Sequence, residues 1–150
     1  MTIDKFTGRN SFLSNFALCN IRDGDDNSIY PSVEHAFQAA KTTIYSEKES
    51  IRNAPTPGVA KRLGRQCTLR KDWETIKDMV MFYLLMKKFQ QEPFRSKLIA
   101  TGNSKLVEGN IWGDTYWGVC RGKGQNKLGK ALMKVRSIIM DKTNLYSKGE

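Results

Sequence analysis

The sequence predicts a mainly α-helical fold, a single compact domain over residues 1–150 with about five helices and small β elements near each end. Three observations lead to this prediction. Apolar residues are spread along all 150 positions, which suits one core. Several segments combine helical spacing with capping residues. Two other segments are rich in turn residues and have no helical period.

The first of these segments, FALCNIRDGDDNSIY at residues 16–30, predicts two short strands around the turn DGDDN. Asp, Gly and Asn supply the backbone conformations that a tight reversal requires. Ser32 follows as an N-cap candidate, so we expect the first helix over residues 32–45.

The middle of the chain predicts two further helices. Residues 56–64 begin with Thr56 as a cap and Pro57 at the first helical position, and Gly64 is expected to end the helix. The next helix begins behind Asp72 and becomes apolar on every side from residue 79, which predicts a position in the middle of the core.

The C-terminal half predicts two more helices around an irregular segment. Pro93 opens one helix, PFRSKLIAT, which Gly102 closes, and Asn126 is the N-cap candidate for the last long helix. The glycine-rich segment at residues 106–125 carries two tryptophans and a tyrosine, and short strands and turns are its natural interpretation.

The composition narrows the class of protein. The longest apolar run, MVMFYLLM at residues 79–86, is far shorter than the roughly 20 residues of a membrane span. The N-terminal sequence does not match a secretory signal. Three scattered cysteines and one histidine indicate reduced thiols and leave almost nothing for a zinc site. We therefore expect a cytoplasmic protein that needs neither a membrane nor a metal.

The net charge of +10 is concentrated in two basic segments, residues 41–71 and 121–148. Such segments suit an anionic partner, such as a phosphate, a dinucleotide or nucleic acid. Solvated lysine-rich helix faces explain the charge equally well.

One motif resembles a phosphate-binding loop. GQNKLGKA at residues 124–131 nearly matches GxxxxGK[ST], but Ala131 replaces the hydroxyl that would hold magnesium, and no buried parallel strand leads into it. A nucleoside triphosphatase is therefore not expected. Asn126 and Gly129 could still shape a helix N-terminus that meets a phosphate.

Two clusters could carry chemistry. In NIWGDTYWG, Asp114 lies between Trp112 and Trp117; the segment is either a core aromatic cluster or a platform for a flat base whose ribose bonds to the acid. On the first helix, Glu34, Gln38 and Lys41 share one face, which is either a solvated surface or a wall of an active site.

The lone histidine has a lesser role in this pattern. His35 points away from the face that Glu34 leads, and a surface or capping histidine is the stronger interpretation.

Three blocks, FLSNF (12–16), YPSVEHAFQAAK (30–41) and VEGNIWGDTYWGVCRGKGQNKLGKALMKVR (107–136), resemble the YbiA-like proteins of the NADAR (NAD- and ADP-ribose-associated) superfamily. The resemblance implies a mainly helical fold and hydrolysis of an N-glycosidic bond. One branch cleaves ribosylaminopyrimidine 5′-phosphates of riboflavin synthesis, and another removes ADP-ribose from modified guanine. The family's motif residues fall on Asn15, Phe16, Glu34, Lys41, Trp112, Asp114 and Trp117.

These residues suggest a mechanism. Breaking a ribose C1′–N bond builds positive charge on the sugar, which a carboxylate stabilises. Glu34 is the first choice, because a place in the first helical turn would hold it anionic. Asp114 would bind ribose hydroxyls or assist proton transfer. Lys41 could pair with Glu34, bind the substrate phosphate, or attack C1′ to form an imine.

The remaining candidates would bind the substrate. Trp112 and Trp117 would stack on the base or exclude water, while Asn15 and Phe16 would complete the pocket. Arg9 and Asn126 are candidate phosphate contacts. No cofactor is expected.

Three functions are compatible with these residues. The leading one is an N-glycosidase of a phosphorylated ribosyl small molecule. The second is the same chemistry on ADP-ribosylated guanine in nucleic acid, and the third is a non-catalytic binder of ADP-ribose or nucleic acid. Two carboxylates near an anionic ligand argue against a pure binder.

Overall fold

The computed structural model describes residues 1–24 and 27–149 of the chain. Within these residues there are six α-helices, one 3₁₀ helix and six short strands. The helices are α1 (Val33–Ala39), α2 (Tyr45–Arg52), α3 (Pro57–Gln66), α4 (Trp73–Phe89), α5 (Phe94–Ala100) and α6 (Lys127–Ser147), with the 3₁₀ helix at Gly8–Leu13. The strands are β1 (Thr2–Ile3), β2 (Leu18–Asp23), β3 (Ser28–Ser32), β4 (Lys105–Leu106), β5 (Gly109–Asn110) and β6 (Val119–Cys120). The predicted fold class, mainly α with small β elements, is confirmed.

The chain forms two compact units. Unit 1 consists of residues 1–14 and 89–150, and unit 2 consists of residues 15–88. The single domain expected from the sequence stays a prediction.

Unit 2 opens with the predicted hairpin. Strands β2 and β3 pair antiparallel, with Ile21 opposite Tyr30 and an irregular register between Leu18 and Ile21. The side chains of Ile21 and Tyr30 are buried. Asp25 and Asp26 of the predicted DGDDN turn lie outside the described residues.

The first helix is shorter than predicted. Ser32 caps it as expected, because its Oγ accepts a hydrogen bond from the His35 N–H at 3.1 Å. Helix α1 ends at Ala39 rather than residue 45, and Lys41 lies in the turn that follows. The hydroxyl of Thr42 accepts from the Ile44 N–H at 3.1 Å, and this local bond takes a donor that a continuing helix would use.

Helix α2 begins at Tyr45, immediately after this break, and was not predicted. Its polar sequence, YSEKESIR, buries only Ile51 and therefore gives a weak apolar period. The 3₁₀ helix at Gly8–Leu13 was also missed, because six residues with one buried side chain carry little periodic signal.

Helix α3 continues past the glycine that was expected to end it. The predicted cap is confirmed, because Thr56 Oγ1 accepts from the Val59 N–H at 3.1 Å. Gly64 is buried inside the helix, where a Cβ atom would lie 1.9 Å from the Gln38 Oε1 and 2.9 Å from its Cβ. Gly64 therefore provides space for α1 to pack closely on α3 and does not act as a stop signal.

Helix α4 is not buried on every side. Met79 is 66% exposed and Tyr83 is 49% exposed, whereas Lys88 near the C-terminal end is fully buried. The expectation of a helix surrounded by core is therefore wrong. Burial removes water from the Lys88 ammonium group and lowers its pKa to about 8.

Unit 1 is organised around the last helix. Leu128, Leu132, Val135 and Ile139 of α6 are buried at the predicted helical spacing, and α6 packs on α5 and β4. Strand β4 pairs in parallel with β1, and β5 pairs in parallel with β6. Helix α5 ends as predicted before Gly102, whose φ of +56° suits glycine.

Candidate functional site

The carboxylate of Glu34 is buried in unit 2, in the first turn of α1. Its side chain is only 7% exposed. The Gln38 Nε2 donates to Glu34 Oε1 at 2.8 Å, and the backbone N–H of Glu34 donates to the carbonyl of Asn15 at 3.0 Å. The Gln38 bond orients the carboxylate and the Asn15 bond holds the backbone that carries it. The face led by Glu34 is therefore not a solvated surface.

Burial raises the pKa of Glu34 above its ordinary value, because removal from water disfavours the charged carboxylate. The Gln38 hydrogen bond and the charges of Lys61 and Lys41 act in the opposite direction but do not cancel the effect. Burial therefore acts against the helix dipole that is expected to hold Glu34 anionic, and the anionic state of Glu34 stays a prediction. A carboxylate with a raised pKa is a stronger base.

Lys41 lies just beyond the end of α1 and is half-buried. The backbone N–H of Lys41 donates to the Gln38 carbonyl at 3.2 Å, and the Lys41 carbonyl accepts from the backbone N–H of Arg70 at 2.7 Å. Burial lowers the pKa of the Lys41 amine, and nearby Arg65 and Lys61 add to this effect while Glu34 opposes it. Across residues 1–24 and 27–149, no ion pair joins Lys41 to Glu34.

Two further predicted residues lie at the start of unit 2. Asn15 is 9% exposed, and its Nδ2 contacts the Met81 Sδ at 3.5 Å. The Asn15 Oδ1 is buried without a hydrogen-bond partner among the described residues. Phe16 is 44% exposed. The Asn15 carbonyl accepts from the backbone N–H of Glu34, so the Asn15 backbone lies against the first turn of α1.

His35 is a structural residue. It is 1% exposed, its Nδ1 lies 2.7 Å from the Ser32 Oγ, and its Nε2 lies 3.0 Å from the Ala54 carbonyl oxygen. A carbonyl only accepts, so Nε2 carries the proton. The expectation of a surface histidine is wrong: both ring nitrogens hold neighbouring segments of unit 2 together.

Unit 1 carries the second predicted carboxylate in the loop between β5 and β6. The Asp114 Oδ1 accepts from the N–H groups of Tyr116 at 3.1 Å and Trp117 at 2.9 Å. Asn110 holds the same turn, because its Nδ2 donates to the Asp114 carbonyl at 2.8 Å and its Oδ1 accepts from the Asp114 N–H at 3.0 Å. This carboxylate therefore organises the loop's backbone.

The two tryptophans of this loop differ in exposure. Trp112 is 64% exposed and is followed by Gly113, whose φ is +88°. Trp117 is half-buried and meets Tyr116 edge to face with ring centroids 4.9 Å apart. A wholly buried aromatic cluster, one of the two interpretations of this segment, is excluded for Trp112.

Asn126 occupies the predicted position before α6 but does not cap the helix with its side chain. Its φ is +51°, its Nδ2 donates to the Leu106 carbonyl at 2.9 Å, and its Oδ1 accepts from the Glu108 N–H at 3.0 Å. The capping prediction is wrong, because the amide holds the preceding strand region instead. Gly129 of α6 also packs against this strand region, since a Cβ atom at Gly129 would lie 2.2 Å from the Leu106 carbonyl oxygen.

Arg9 is exposed on the 3₁₀ helix of unit 1. It borders an open cavity of about 340 Å³ that also contains Lys97, whose Nζ lies 5.8 Å from the centre of the Phe12 ring. The other lining residues are Met1, Ile3, Asn10, Ala100, Thr101 and Ser104.

Sequence patterns did not identify Lys61 and Arg65 of α3 as site residues. Lys61 acts on the pKa of Glu34 more strongly than Lys41 does, and Lys61 and Arg65 both lower the pKa of Lys41. The sequence shows that the helix over residues 56–64 has a basic face, but which part of the protein that face borders depends on how α3 packs.

The described residues show neither a metal site nor a membrane span. They hold no group of three or more His, Cys, Asp or Glu side chains placed to bind a metal ion. None of the helices in this part of the chain has the length and apolar character needed to cross a bilayer.

Comparison with known proteins identifies the family. The family model described as the NADAR domain matches residues 4–140. The chain belongs to the NADAR family. The resemblance seen in its motifs is therefore confirmed over most of its length.

Several NADAR relatives have named activities. N-glycosidase YbiA of Escherichia coli strain K12 is 43% identical over 127 residues, which are 82% of this chain and 78% of that protein. N-glycosidase Npun_R5314 of Nostoc punctiforme is 38% identical over 141 residues, 88% of this chain and 87% of that protein. Riboflavin biosynthesis protein VVA0006 of Vibrio vulnificus is 36% identical over 87% of this chain, which spans 36% of that protein.

A solved NADAR structure has the same fold. The NMR structure of Escherichia coli YbiA matches with a TM-score of 0.82 at 37% identity, covering 95% of this chain and 86% of that one. The mainly helical architecture is thus shared with an experimental structure.

Proposed function

We propose that this protein is an N-glycosidase that hydrolyses the N-glycosidic bond of a phosphorylated ribosyl small molecule, such as a ribosylaminopyrimidine 5′-phosphate. The observation that carries the proposal is the buried Glu34 carboxylate, held by Gln38 and bordered by Lys41 and Lys61. The relatives named N-glycosidase and riboflavin biosynthesis protein support the reaction and the substrate class.

Glu34 stabilises the positive charge that develops on the ribose ring as the C1′–N bond breaks, and it takes a proton from the attacking water. Its raised pKa suits the second role, because a more basic carboxylate removes the proton more readily at neutral pH. The bond from Gln38 orients the carboxylate.

Lys41 has two roles that fit its surroundings. As an ammonium group it binds the substrate phosphate. As a neutral amine, which its lowered pKa favours, it attacks C1′ while the base departs with its bonding electron pair and gains a proton. The ring-opened sugar is then held as an imine that water releases. Borohydride added during turnover attaches the sugar's mass to Lys41 only in the second case.

The loop of unit 1 has a binding role in this proposal. The exposed indole of Trp112 offers a face on which a planar base can stack, and Trp117 supports the loop from its half-buried position. Asp114 keeps the loop ordered through two backbone hydrogen bonds. Asn126 supports the adjoining backbone, and Arg9 provides a positive charge for an anionic group.

A second candidate is removal of ADP-ribose from modified guanine in nucleic acid. The exposed cations Arg65 and Lys71 of unit 2 favour it, since a polyanion needs positive charge beyond the reacting atoms. A binder of ADP-ribose or nucleic acid without turnover is the third candidate, and the desolvated carboxylate of Glu34 argues against it.

One experiment separates these functions. The purified protein is incubated with a ribosylaminopyrimidine 5′-phosphate and, separately, with ADP-ribosylated DNA. We expect release of ribose 5-phosphate in the first reaction and its loss with Glu34→Gln. Release of ADP-ribose alone would favour the second candidate, and tight binding without release of either product would favour the third.

A further inference from the structure

Helix α3 has two buried positions with little or no side chain, and one of them, Gly64, contacts α1. Ala60 and Gly64 are fully or almost fully buried, and they lie four positions apart on one side of α3. Gly64 lies against Gln38, the residue that holds Glu34. The close packing of the two helices therefore positions α3 beside the buried carboxylate.

The next position along α3 from each of these residues is a cation. Lys61 follows Ala60 and Arg65 follows Gly64. Each residue of a helix is rotated by about 100° from the one before it, so Lys61 and Arg65 lie on the face of α3 next to the buried face of Ala60 and Gly64. Lys61 is half-buried and Arg65 is exposed. Within the described part of the chain, neither side chain forms an ion pair or a hydrogen bond.

The charge around Glu34 is unbalanced. Lys61 and Lys41 act on the pKa of Glu34, and Arg65 acts on the pKa of Lys41, so this region holds three basic side chains and one carboxylate. Since Lys61 and Arg65 have no anionic partner among the described residues, both are available to an anionic ligand. The dianion of a phosphate monoester has the charge that would balance this group, and it offers the oxygen acceptors that lysine and arginine bind.

We propose that Lys61 and Arg65 bind the phosphate of the substrate and make the site selective for phosphorylated over unphosphorylated ribosides. This inference rests on the proposed function, because it assigns the specificity of the same site. It adds two residues from α3 that neither the motifs nor the names of the relatives identify.

The alternative role for these cations is electrostatic tuning of Glu34. A nearby positive charge favours the ionised carboxylate and would change the rate with every substrate alike. Phosphate binding changes the rate with the phosphorylated substrate alone. The two roles therefore differ in the ratio of kcat/KM for a ribosylaminopyrimidine 5′-phosphate to kcat/KM for its dephosphorylated nucleoside.

The first test measures this ratio in Lys61→Gln, Arg65→Gln and the double variant. We expect it to fall by about tenfold to a hundredfold for each single variant, because each change removes a charge-assisted hydrogen bond. Arg62→Gln is the matched control, since it removes an equally charged side chain of α3 and should leave the ratio unchanged. Lys61→Arg should restore most of the ratio.

A ratio that stays constant while both kcat/KM values fall together would overturn the proposal and assign tuning instead. An equal loss of selectivity in Arg62→Gln would also overturn it, because the effect would then follow net charge rather than position. Thermal unfolding of each variant establishes that it is folded under the assay conditions.

The second test does not require turnover. Calorimetry compares binding of ribose 5-phosphate and ribose to the wild-type protein and to Lys61→Gln. We expect the wild type to bind the phosphorylated sugar more tightly and the variant to lose that preference. No preference in the wild type would overturn the inference. If the wild type prefers ribose 5-phosphate and Lys61→Gln loses that preference, but no riboside is hydrolysed, the phosphate site is supported and the proposed reaction is refuted.

Discussion

The two carboxylates that the sequence singled out, one in each unit, are held in opposite ways. Glu34 is buried and bound by the Gln38 side chain, and burial raises its pKa. Asp114 is half-buried and uses Oδ1 to order the backbone of its own loop. Desolvation equips a carboxylate for proton transfer, whereas backbone hydrogen bonds equip it for holding a loop.

The largest expected effect separates these two roles directly. Glu34→Gln should reduce kcat by about 10²- to 10⁴-fold, because the amide can accept the Gln38 hydrogen bond but cannot act as a base. The measurement is single-turnover release of ribose 5-phosphate at saturating substrate. Activity within about threefold of wild type would remove Glu34 from the chemistry.

The same variant should be more stable than the wild type above neutral pH. The raised pKa of Glu34 means that the folded state holds its proton more tightly than the unfolded state. Its stabilising contribution is therefore present at low pH and is lost as pH rises through the folded pKa. Urea unfolding across a pH series should show this loss in the wild type and not in Glu34→Gln. A parallel pH dependence in both proteins would contradict the raised pKa.

The next effect concerns the helix packing that buries Glu34. Gly64→Ala would place a Cβ 2.8 Å from the Gln38 Cδ, so Gln38 must move. We expect a loss of about 1–3 kcal/mol in unfolding free energy and a lower kcat. Gly58→Ala is the control on the same helix, because its nearest neighbour would be 3.8 Å away. It should stabilise α3 by about 0.5–1 kcal/mol. Equal effects of the two substitutions would show that Gly64 is not a packing position.

A smaller effect on activity is expected when the Gln38 hydrogen bond to Glu34 is removed by a substitution of similar size. The Gln38 amide lowers the pKa of Glu34, so Gln38→Met should raise it further. The acidic limb of the kcat/KM profile then moves to higher pH, and kcat/KM on that limb falls about threefold to tenfold. The basic limb is the internal reference. A shift of both limbs together would indicate general disruption.

The smallest effect is expected for Asp114→Asn. Its amide oxygen can still accept from the N–H groups of Tyr116 and Trp117, so kcat/KM should stay within about threefold of wild type. Asp114→Ala removes both bonds and should cost about 1–2 kcal/mol of unfolding free energy. If Asp114→Asn instead abolished turnover as Glu34→Gln does, Asp114 would belong to the reaction and the contrast between the two carboxylates would fail.

Local chemistry made much of the fold predictable. Ser32 and Thr56 were identified as caps because a hydroxyl before a helix can bond its free N–H groups, and both do so. The spacing of Leu128 to Ile139 likewise predicted α6 and its buried face. Helix α2 and the end of α1 escaped prediction, because they depend on the side-chain bonds of Thr42.

The residues of the candidate site could be predicted only in part, because some of them come together only through helix packing. Glu34 and Lys41 could be chosen from helical spacing and resemblance. Lys61 could not, because its distance from Glu34 depends on the packing of α3 through Gly64. A glycine at position 64 predicts the end of a helix, but Gly64 lies inside α3 because α1 packs too closely there for a larger side chain.

The amino-acid sequence alone specified the helical class, most of the helix starts and the residue types available for N-glycosidase chemistry, since these follow from short-range patterns. Tertiary structure decided the state of those residues. Burial raised the pKa of Glu34, and close helix packing placed Lys61 beside it. Desolvation depends on every neighbour that excludes water, and those neighbours come together only when the chain is folded.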